Sequence, residues 1–244
     1  MQEAKVRLYV EQPLGPGQPV TLEREQAHYL FNVMRLQPGD AVLLFNGRDG
    51  EWRAVVADAG KRGGVLSCAE RTRPLQPPPD LWLLFAPVKK ARTDFIVEKA
   101  VELGVARIQP VQTAHTNSER IRADRQRAHA IEAAEQCGAT VVPEVADLVS
   151  LDRLLSDWPQ GRRILWADES RVGAPAVLSE AARAGQGAWA ILIGPEGGFS
   201  QAERARLLAR ADVTPISLGP RILRADTAAV AAITLWQAHL GDWR

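Results

Sequence analysis

The sequence predicts an α/β protein in which a small N-terminal β-barrel precedes a larger domain built on a mostly parallel sheet. Residues 1–73 contain short apolar runs separated by turn signals, as strands do. Pro77-Pro78-Pro79 follow, and three consecutive prolines favour an extended linker and exclude a helix. From residue 81 onward, strand-like and helix-like segments alternate, which is typical of a parallel sheet with helices on both faces. We therefore predict domains at 1–73 and 81–244, joined by the linker 74–80.

The N-terminal region is predicted to hold four strands and one short helix. Tyr29, Val33 and Leu36 recur at i, i+4 and i+7 within a helical segment at 25–35. Asn46-Gly47 is a turn signal between two apolar runs and predicts a hairpin. The predicted strands are 6–10, 41–45, 52–57 and 65–69. Several short strands around one short helix suggest a small barrel.

The second region is predicted to contain six strands, and the first of them is a continuous apolar run typical of a strand covered on both faces. Thr93 or Asp94 can cap the first helix, and Gly104 follows its end, where a left-handed residue is favoured. The predicted strands are 81–86, 107–111, 141–145, 164–167, 188–193 and 213–218. The predicted helices are 95–103, 122–137, 150–157, 175–184, 200–210 and 225–240.

The last predicted helix is apolar nearly all round between Ala228 and Trp236. A helix of this kind must bury more than one face. One face can pack on its own sheet. The other face can pack on a second subunit or elsewhere in the same chain.

Composition limits the classes of function. The chain of 244 residues has a net charge of +1, so nucleic-acid binding would require a local basic patch. We find no apolar run of membrane-spanning length and no signal-peptide pattern, and we expect a cytoplasmic protein without membrane partners. Cys68 and Cys137 lie far apart and form no CxxC pair, which favours free thiols and argues against a structural metal site.

Two loops that follow predicted strands suggest a ligand pocket, because ligands bind at the carboxyl ends of strands in open parallel sheets. Glycines let the backbone approach a ligand closely, although they also serve in tight turns. The first loop reads Ile193-Gly194-Pro195-Glu196-Gly197-Gly198, and the second reads Leu218-Gly219-Pro220-Arg221-Ile222-Leu223-Arg224. Together they favour a nucleotide-like pocket.

The residue types in these loops exclude several chemistries. Neither GxGxxG nor GxxxxGK[ST] is present, so dinucleotide and P-loop binding are not indicated. Glu196 would repel a phosphate but suits hydroxyls, an amine or a cation, unless it only stabilises the start of the following helix. No GxSxG or HExxH motif occurs, and the four histidines are scattered.

Basic residues indicate phosphate or RNA binding less strongly than the two loops indicate a pocket. Arg221 and Arg224 could bind a phosphate or a substrate carbonyl, or could be exposed or salt-bridged charges. Lys89, Lys90 and Arg92 form a basic cluster, and the N-terminal region mixes basic and aromatic residues in a way that suits RNA. Acidic residues nearly balance them there, so composition alone favours a mixed solvated surface.

Both loops together resemble the bacterial 16S ribosomal RNA uridine-N3 methyltransferase family of the trefoil-knotted SPOUT methyltransferases. Further matches run along the whole chain. They are Arg7, residues 28–40 (HYLFNVMRLQPGD), Lys99-Ala100-Val101-Glu102-Leu103-Gly104-Val105, Glu135-Gln136-Cys137 and Val142-Pro143-Glu144. The chain departs from the family pattern at Ala139, where arginine is usual, and at Asp226, where glutamate is usual.

The resemblance implies an N-terminal PUA-like RNA-binding barrel and a C-terminal knotted domain that binds S-adenosylmethionine and releases S-adenosylhomocysteine. It implies methylation of uracil N3 in the 16S rRNA of the small ribosomal subunit, by a homodimer with its cofactor pocket near the interface. Two alternatives stay open. One is a knotted methyltransferase for tRNA or another rRNA position, and the other is a non-catalytic RNA-binding assembly factor.

The resemblance also implies roles for individual residues. The cofactor site would comprise Ala167, Ile193, Gly194, Pro195, Glu196, Gly197, Gly198, Leu218, Gly219, Ile222, Leu223 and Arg224. Arg224, or Arg7 of a second subunit, would stabilise the uracil after its N3 proton is lost. The predicted RNA contacts are Arg7, His28, Arg35, Lys89 and Arg92. No residue is indicated as the base that removes the proton.

Overall fold

The computed structural model describes residues 4–60, 63–117, 121–173 and 187–243. The chain forms two compact units. The first consists of Met1–Pro77 together with Ala134–Val142, and the second consists of Pro78–Ala133 and Pro143–Arg244. A short stretch from the middle of the chain therefore belongs to the N-terminal unit.

The first unit is built on a five-stranded sheet in the order β1-β3-β4-β5-β2. The strands are β1 (Arg7–Tyr9), β2 (Pro19–Thr21), β3 (Ala41–Phe45), β4 (Glu51–Ala59) and β5 (Gly64–Arg73). Strands β1 and β3 are parallel and the other pairs are antiparallel. Register shifts between β4 and β5 allow the sheet to curl around its apolar core. The four predicted strands are confirmed, and β2 is an additional short strand.

The helical segment of this unit starts as α1 (Arg24–Ala27) and continues as a π-helix over His28–Val33. The predicted helix is confirmed, but two of the three residues that recur at helical spacing are exposed. Tyr29 and Val33 are 42% and 57% exposed, whereas Ala27 and Leu30 are buried. A π-helix has i→i+5 hydrogen bonds and more residues per turn than an α-helix, so the 3.6-residue pattern does not identify its inner face.

The second unit has a sheet in the order β12-β10-β11-β6-β7-β8, with β9 pairing beside β7. The strands are β6 (Leu81–Phe85), β7 (Arg107–Gln112), β8 (Glu144–Val145), β9 (Val149–Ser150), β10 (Arg163–Ala167), β11 (Trp189–Ile193) and β12 (Val213–Ile216). Every pair among these described strands is parallel, which confirms the predicted parallel sheet. The predicted knot concerns the path of the whole chain, including 174–186 outside the described residues, and stays a prediction.

The described helices of this part of the chain are α2 (Lys90–Glu102), α3 (Ala123–Cys137), α4 (Leu151–Ser156), α5 (Gln201–Leu208) and α6 (Ala225–His239). The predicted cap of α2 is wrong, because the helix starts one turn earlier with Lys89 as its N-cap. The Thr93 hydroxyl instead bonds the main chain of Val88. Gly104 has the expected positive φ of 75°. The predicted helix at 175–184 lies outside the described residues.

Helix α6 buries one stripe within its own unit, against α2 and β11. The buried residues are Ala225, Ala228, Ala229, Ala232, Ile233, Trp236 and Gln237. The Gln237 side chain donates a hydrogen bond of 2.6 Å to the Leu103 carbonyl. Val230, Ala231 and Leu235, on the other side of the helix, are only half-buried.

Within the described parts of the chain, no helix combines the length and apolar character required to cross a bilayer.

Candidate active site

Three loops surround a cavity of about 350 Å³ in the second unit. They follow β10, β11 and β12, which are neighbours in the sheet, so their carboxyl ends meet at one edge. Every residue predicted for the cofactor site lines this cavity: Ala167, Ile193, Gly194, Pro195, Glu196, Gly197, Gly198, Leu218, Gly219, Ile222, Leu223 and Arg224. The sequence analysis missed Asp168, Glu169, Val172, Ser217, Ala225 and Ala228 as lining residues, and named Arg221 without assigning it to the cofactor site.

The loop after β11 forms a closely packed first wall. A Cβ atom on Gly194 would lie 2.6 Å from Cε2 of Phe199, whose buried ring packs edge-on against Trp166 at 5.5 Å. Gly198 has φ +64°, and a Cβ there would collide with the carboxylate of Glu169. Glycine therefore suits both positions, since it allows close packing of Phe199 at residue 194 and a positive φ at residue 198.

His115, which the sequence analysis treated as an ordinary histidine, holds this first wall from behind. Its Nδ1 lies 2.9 Å from the carbonyl oxygen of Gly197 and 3.2 Å from that of Gly198. Both partners are acceptors, so Nδ1 carries the proton. The neighbouring Ala114 amide donates to Glu203 in the first turn of α5. A lone histidine after a strand gives no sequence signal for this contact, because its partners are 82 and 83 residues away.

The N-terminus of α5 is closed by a capping box between Ser200 and Glu203. Glu203 is the acidic residue of the first turn, so the alternative that assigned this role to Glu196 is wrong. Glu196 lies before the helix and pairs with Arg92 at 3.4 Å. Arg92 also approaches Asp226 at 3.7 Å, at the start of α6. This arginine thus connects two elements at the cavity.

Asp168 is a buried carboxylate at the end of β10, and Arg204 donates hydrogen bonds of 2.7 and 3.1 Å to its two oxygens. Burial raises the pKa of Asp168, but the bonds from Arg204 and Ser170 outweigh it and hold the pKa below its usual value. The same pair raises the pKa of Arg204. Asp168 is therefore ionised and paired at the side of the cavity. The sequence offered no signal for it beyond an acidic residue after a strand.

The loop after β12 forms a more open second wall. Gly219 has φ +110°, and its amide donates a hydrogen bond of 3.3 Å to the Ser217 hydroxyl. The main-chain groups of Leu218, Ile222 and Leu223 make no hydrogen bond with any described residue. Unpaired main-chain donors and acceptors at a cavity are available to a ligand. They suit the edges of a base or the hydroxyls of a ribose.

Comparisons with known proteins agree with this geometry. Residues 76–237 match the family profile of the RNA methyltransferase domain, and residues 22–66 match that of the RNA methyltransferase PUA domain. A Synechocystis protein named ribosomal RNA small subunit methyltransferase E is 30% identical, over 91% of this chain and 73% of the relative.

The chain belongs to the ribosomal RNA small subunit methyltransferase E family.

Solved structures of methyltransferases are similar to this chain over nearly its full length. The family member from Neisseria gonorrhoeae, solved bound to S-adenosylmethionine, has a TM-score of 0.85 and 28% identity, covering 98% of this chain and 99% of that one. A Legionella pneumophila methyltransferase in complex with the same cofactor has a TM-score of 0.86 and 30% identity, covering 97% and 98%. A Rickettsia conorii relative with the family name is 29% identical over 93% of each chain.

The cavity residues fit S-adenosylmethionine, the cofactor of this family. The ligand carries a positive sulfur and a nucleoside, and no phosphate. Carboxylates of Glu169 and Glu196 line the cavity, and no lysine lines it among the described residues. Apolar groups such as Val172 and Ile193, together with the unpaired main-chain groups, complete a surface suited to a nucleoside.

Arg224, predicted to be catalytic, lies at this cavity as the exposed N-cap of α6, and its side chain has no partner among the described residues. Lys89 is exposed at the N-cap of α2. His28 and Arg35 are exposed in the first unit, and Arg35 has an unusual positive φ of 57°. The RNA contacts of His28, Arg35 and Lys89 stay predictions.

Arg7, predicted both as a catalytic residue and as an RNA contact, is held inside the first unit. Its Nε donates to Glu51 at 2.7 Å, and its two Nη atoms donate to the carbonyl oxygens of Ala134, Glu135 and Ala139 at 2.6, 3.0 and 2.8 Å. A catalytic role for Arg7 would require these bonds to be exchanged for bonds to a base. Ala139, where the family has arginine, contributes only its main chain here.

Proposed function

We propose that this protein methylates N3 of a uridine in the 16S rRNA of the small ribosomal subunit, with S-adenosylmethionine as methyl donor. The observation that carries the proposal is the cavity at the ends of β10, β11 and β12. Two glycine-containing walls meet there, with the carboxylates of Glu169 and Glu196 and with main-chain groups that bond no described residue. Membership in the small-subunit methyltransferase family supplies the substrate class.

The two walls contact different parts of the ligand. The first wall, fixed by Phe199 and His115, brings the main chain of residues 193–198 against the nucleoside. The second wall offers the main chain of Leu218, Ile222 and Leu223. Glu169 and Glu196 favour a cationic ligand by charge complementarity. When bound, S-adenosylmethionine supplies a methyl group on a positively charged sulfur.

The methylated nitrogen of uracil carries a proton, which must leave before or during the reaction. The negative charge that develops is shared with the two carbonyl oxygens beside N3. Arg224 is suited to stabilise this charge, because its guanidinium is exposed at the cavity and unpaired within the described chain. Arg7 of a second subunit is the other candidate.

The active form is proposed to be a homodimer that associates through α6. Val230, Ala231 and Leu235 support this, since these apolar residues lie on the side of the helix that its own unit leaves half-buried. A second copy would complete their burial. Light scattering at several concentrations would test the dimer, and polar substitution of Leu235 should weaken it.

The N-terminal domain is proposed to bind RNA, with Arg7, His28 and Arg35 as contacts, and Lys89 and Arg92 add contacts from the second domain. We place the domains at 1–73 and 81–244 with the linker 74–80, which the family matches at 22–66 and 76–237 support. We also propose that the second domain carries the family's trefoil knot and that the protein acts in the cytoplasm, where ribosomal subunits are assembled.

Two measurements test the function. Calorimetric titration with S-adenosylmethionine should show saturable binding, and absence of binding would favour a non-catalytic assembly factor. Modified nucleotides should then be mapped in rRNA and tRNA from a strain that lacks the gene, with and without complementation. Loss and return of 3-methyluridine in 16S rRNA is expected, whereas a change confined to tRNA or another rRNA position would contradict the proposed substrate.

A further inference from the structure

Ile222 is the most exposed large apolar side chain among the described residues, at 78%. It belongs to the second wall of the cavity, between Arg221 and Leu223 in the sequence, and both of these neighbours also line the cavity. Exposing a large aliphatic group to water costs free energy that burial would recover. An aliphatic group held at the mouth of a binding cavity is suited to contact a flat apolar surface that arrives with the substrate.

The two arginines that flank Ile222 are unusual for this cavity. Arg221 and Arg224 are both exposed, and neither side chain has a hydrogen-bond or ion-pair partner in the described chain. By contrast, Arg92 pairs with Glu196, and Arg204 pairs with Asp168. The edge of the cavity beside Ile222 therefore presents guanidinium groups whose donors bond no residue in the described part of the chain.

This combination matches the chemistry of a uridine nucleotide. The two faces of uracil are flat and can pack on an aliphatic side chain. On the edge of the base, the two groups beside N3 are carbonyl oxygens, which accept hydrogen bonds. The phosphates of the nucleotide likewise present oxygen acceptors. A guanidinium has only donors, and its planar fork suits oxygen pairs. The 4-amino group of cytosine would face those donors unfavourably.

We propose that Arg221 and Ile222 form the platform for the target nucleotide, with the Ile222 side chain against the face of the uracil and Arg221 bonded to oxygens of the same nucleotide. This inference rests on the proposed function, and it adds a substrate-contacting role for Arg221 and for the Ile222 side chain. The main chain of Ile222 remains free for the cofactor.

The surface formed by Arg221, Ile222 and Arg224 suits RNA better than it suits a second copy of the chain. A protein interface here would bury two guanidinium groups, and burying unpaired charges is strongly unfavourable. RNA brings both the anionic partners and the apolar base face. The half-buried apolar side of α6, at Val230 and Leu235, is a separate surface for a second copy.

The test uses the full-length protein with Ile222→Ser and Arg221→Ala. Matched controls are Leu208→Ser, an apolar side chain 58% exposed on α5, and Arg153→Ala, an exposed arginine on α4, since neither residue lines the cavity. Small subunits from a strain lacking its own family member serve as substrate. The measurements are KM and kcat for the subunits, Kd for S-adenosylmethionine by calorimetry, and molar mass by light scattering.

Each platform variant should raise KM for the subunits roughly tenfold or more, as expected for loss of a base or phosphate contact. Kd for the cofactor, molar mass and the controls should match wild type. Arg221→Lys distinguishes phosphate oxygens from the carbonyl oxygens of the base, because lysine keeps the charge but loses the planar pair of donors. A KM near the wild-type value would identify a phosphate contact. A KM as high as that of Arg221→Ala would identify a contact with the base edge.

Unchanged KM in both platform variants would overturn the inference, as would a loss explained by weaker cofactor binding or by altered molar mass. Failure of the proposed function is distinguishable, because the wild-type protein itself would then fail to bind the cofactor or to methylate the subunits.

Discussion

Two pairs of arginines in this molecule have opposite surroundings. Arg7 and Arg73, in the first unit, both donate to the buried carboxylate of Glu51, at 2.7 Å and 2.5 Å. Arg221 and Arg224, at the cavity of the second unit, are exposed and have no partner within the described chain. The first pair is engaged in holding its own unit together, and the second pair is available to a substrate.

The Glu51 cluster explains why an arginine that matches the family motif need not act on substrate. Burial raises the pKa of Glu51, but hydrogen bonds from Arg73, Arg7 and Thr72 outweigh it and lower the pKa from 4.5 to about 2. Arg7 and Arg73 also donate to carbonyl oxygens in 134–139, at the end of α3. The cluster joins this returning segment to the sheet of the first unit.

The largest expected effect comes from Arg7→Ala. Removal of one partner leaves Glu51 buried with reduced compensation, and we expect the free energy of unfolding to fall by about 3–5 kcal/mol. Urea denaturation would measure it, with Arg24→Ala, an exposed arginine of the same unit, as control. If Arg7 is only structural, kcat per folded molecule should stay normal. A large loss of kcat in the folded fraction would instead support its predicted catalytic role.

Arg224→Ala should lower kcat by about 10²-fold, as is typical when a donor to developing negative charge is removed. Thermal stability should stay unchanged, because no described residue bonds the Arg224 side chain. Kd for S-adenosylmethionine is measured beside the rate, so that a loss of cofactor binding is separated from a loss of catalysis. Single-turnover methylation and calorimetry would measure the two quantities, with Arg153→Ala as control. An intact rate with normal cofactor binding would show that Arg224 has no catalytic role.

Acid should weaken the first unit through Glu51. Its pKa is lower in the folded protein, so its contribution to stability is complete above pH 4.5 and is lost as the pH falls toward about 2. Urea midpoints from about pH 6 to about pH 3 should fall less steeply in Glu51→Gln than in wild type. Equal slopes in the two proteins would mean that other carboxylates dominate the acid response.

The smallest expected effect is that of His115→Ala, which removes the bonds to the carbonyls of Gly197 and Gly198. We expect Kd for S-adenosylmethionine to rise several-fold, equivalent to about 1 kcal/mol, because the first wall loses its support. His239→Ala is the matched control, because the His239 ring bonds the Leu235 carbonyl within its own helix. A normal Kd in His115→Ala would indicate that the packing of Phe199 suffices to hold this wall.

Much of the fold could be read from local patterns. The runs at 81–86 and 188–193 correspond to β6 and β11, and the turn signal at Asn46-Gly47 lies between β3 and β4. The π-helix was not foreseeable, because apolar spacing in a short segment does not distinguish helix types. The three-residue strand β2 was missed since it buries only Val20.

The candidate site likewise has features that the sequence predicts and features that it does not. Its glycine-containing loops were recognisable, because glycine allows the close approach at Gly194 and the positive φ at Gly198, which residues with a side chain rarely allow. The contacts that support these loops from other parts of the chain were not recognisable. Arg204 lies 36 residues from Asp168 in the sequence, and His115 lies 82 residues from Gly197. Nothing in the local sequence of either residue identifies the partner.

The sequence by itself determined the order of strands and helices and the two loops, because periodicity, turn chemistry and close backbone approach are properties of neighbouring residues. The family entered through the resemblance of those loops to a known motif. Only the tertiary structure decided which charges are paired. It placed β12, β10 and β11 side by side and enclosed Glu51 between Arg7 and Arg73. At the cavity it left Arg221 and Arg224 without a partner among the residues that the structure describes. The role of an ionic side chain depends on distance and burial, and folding sets both.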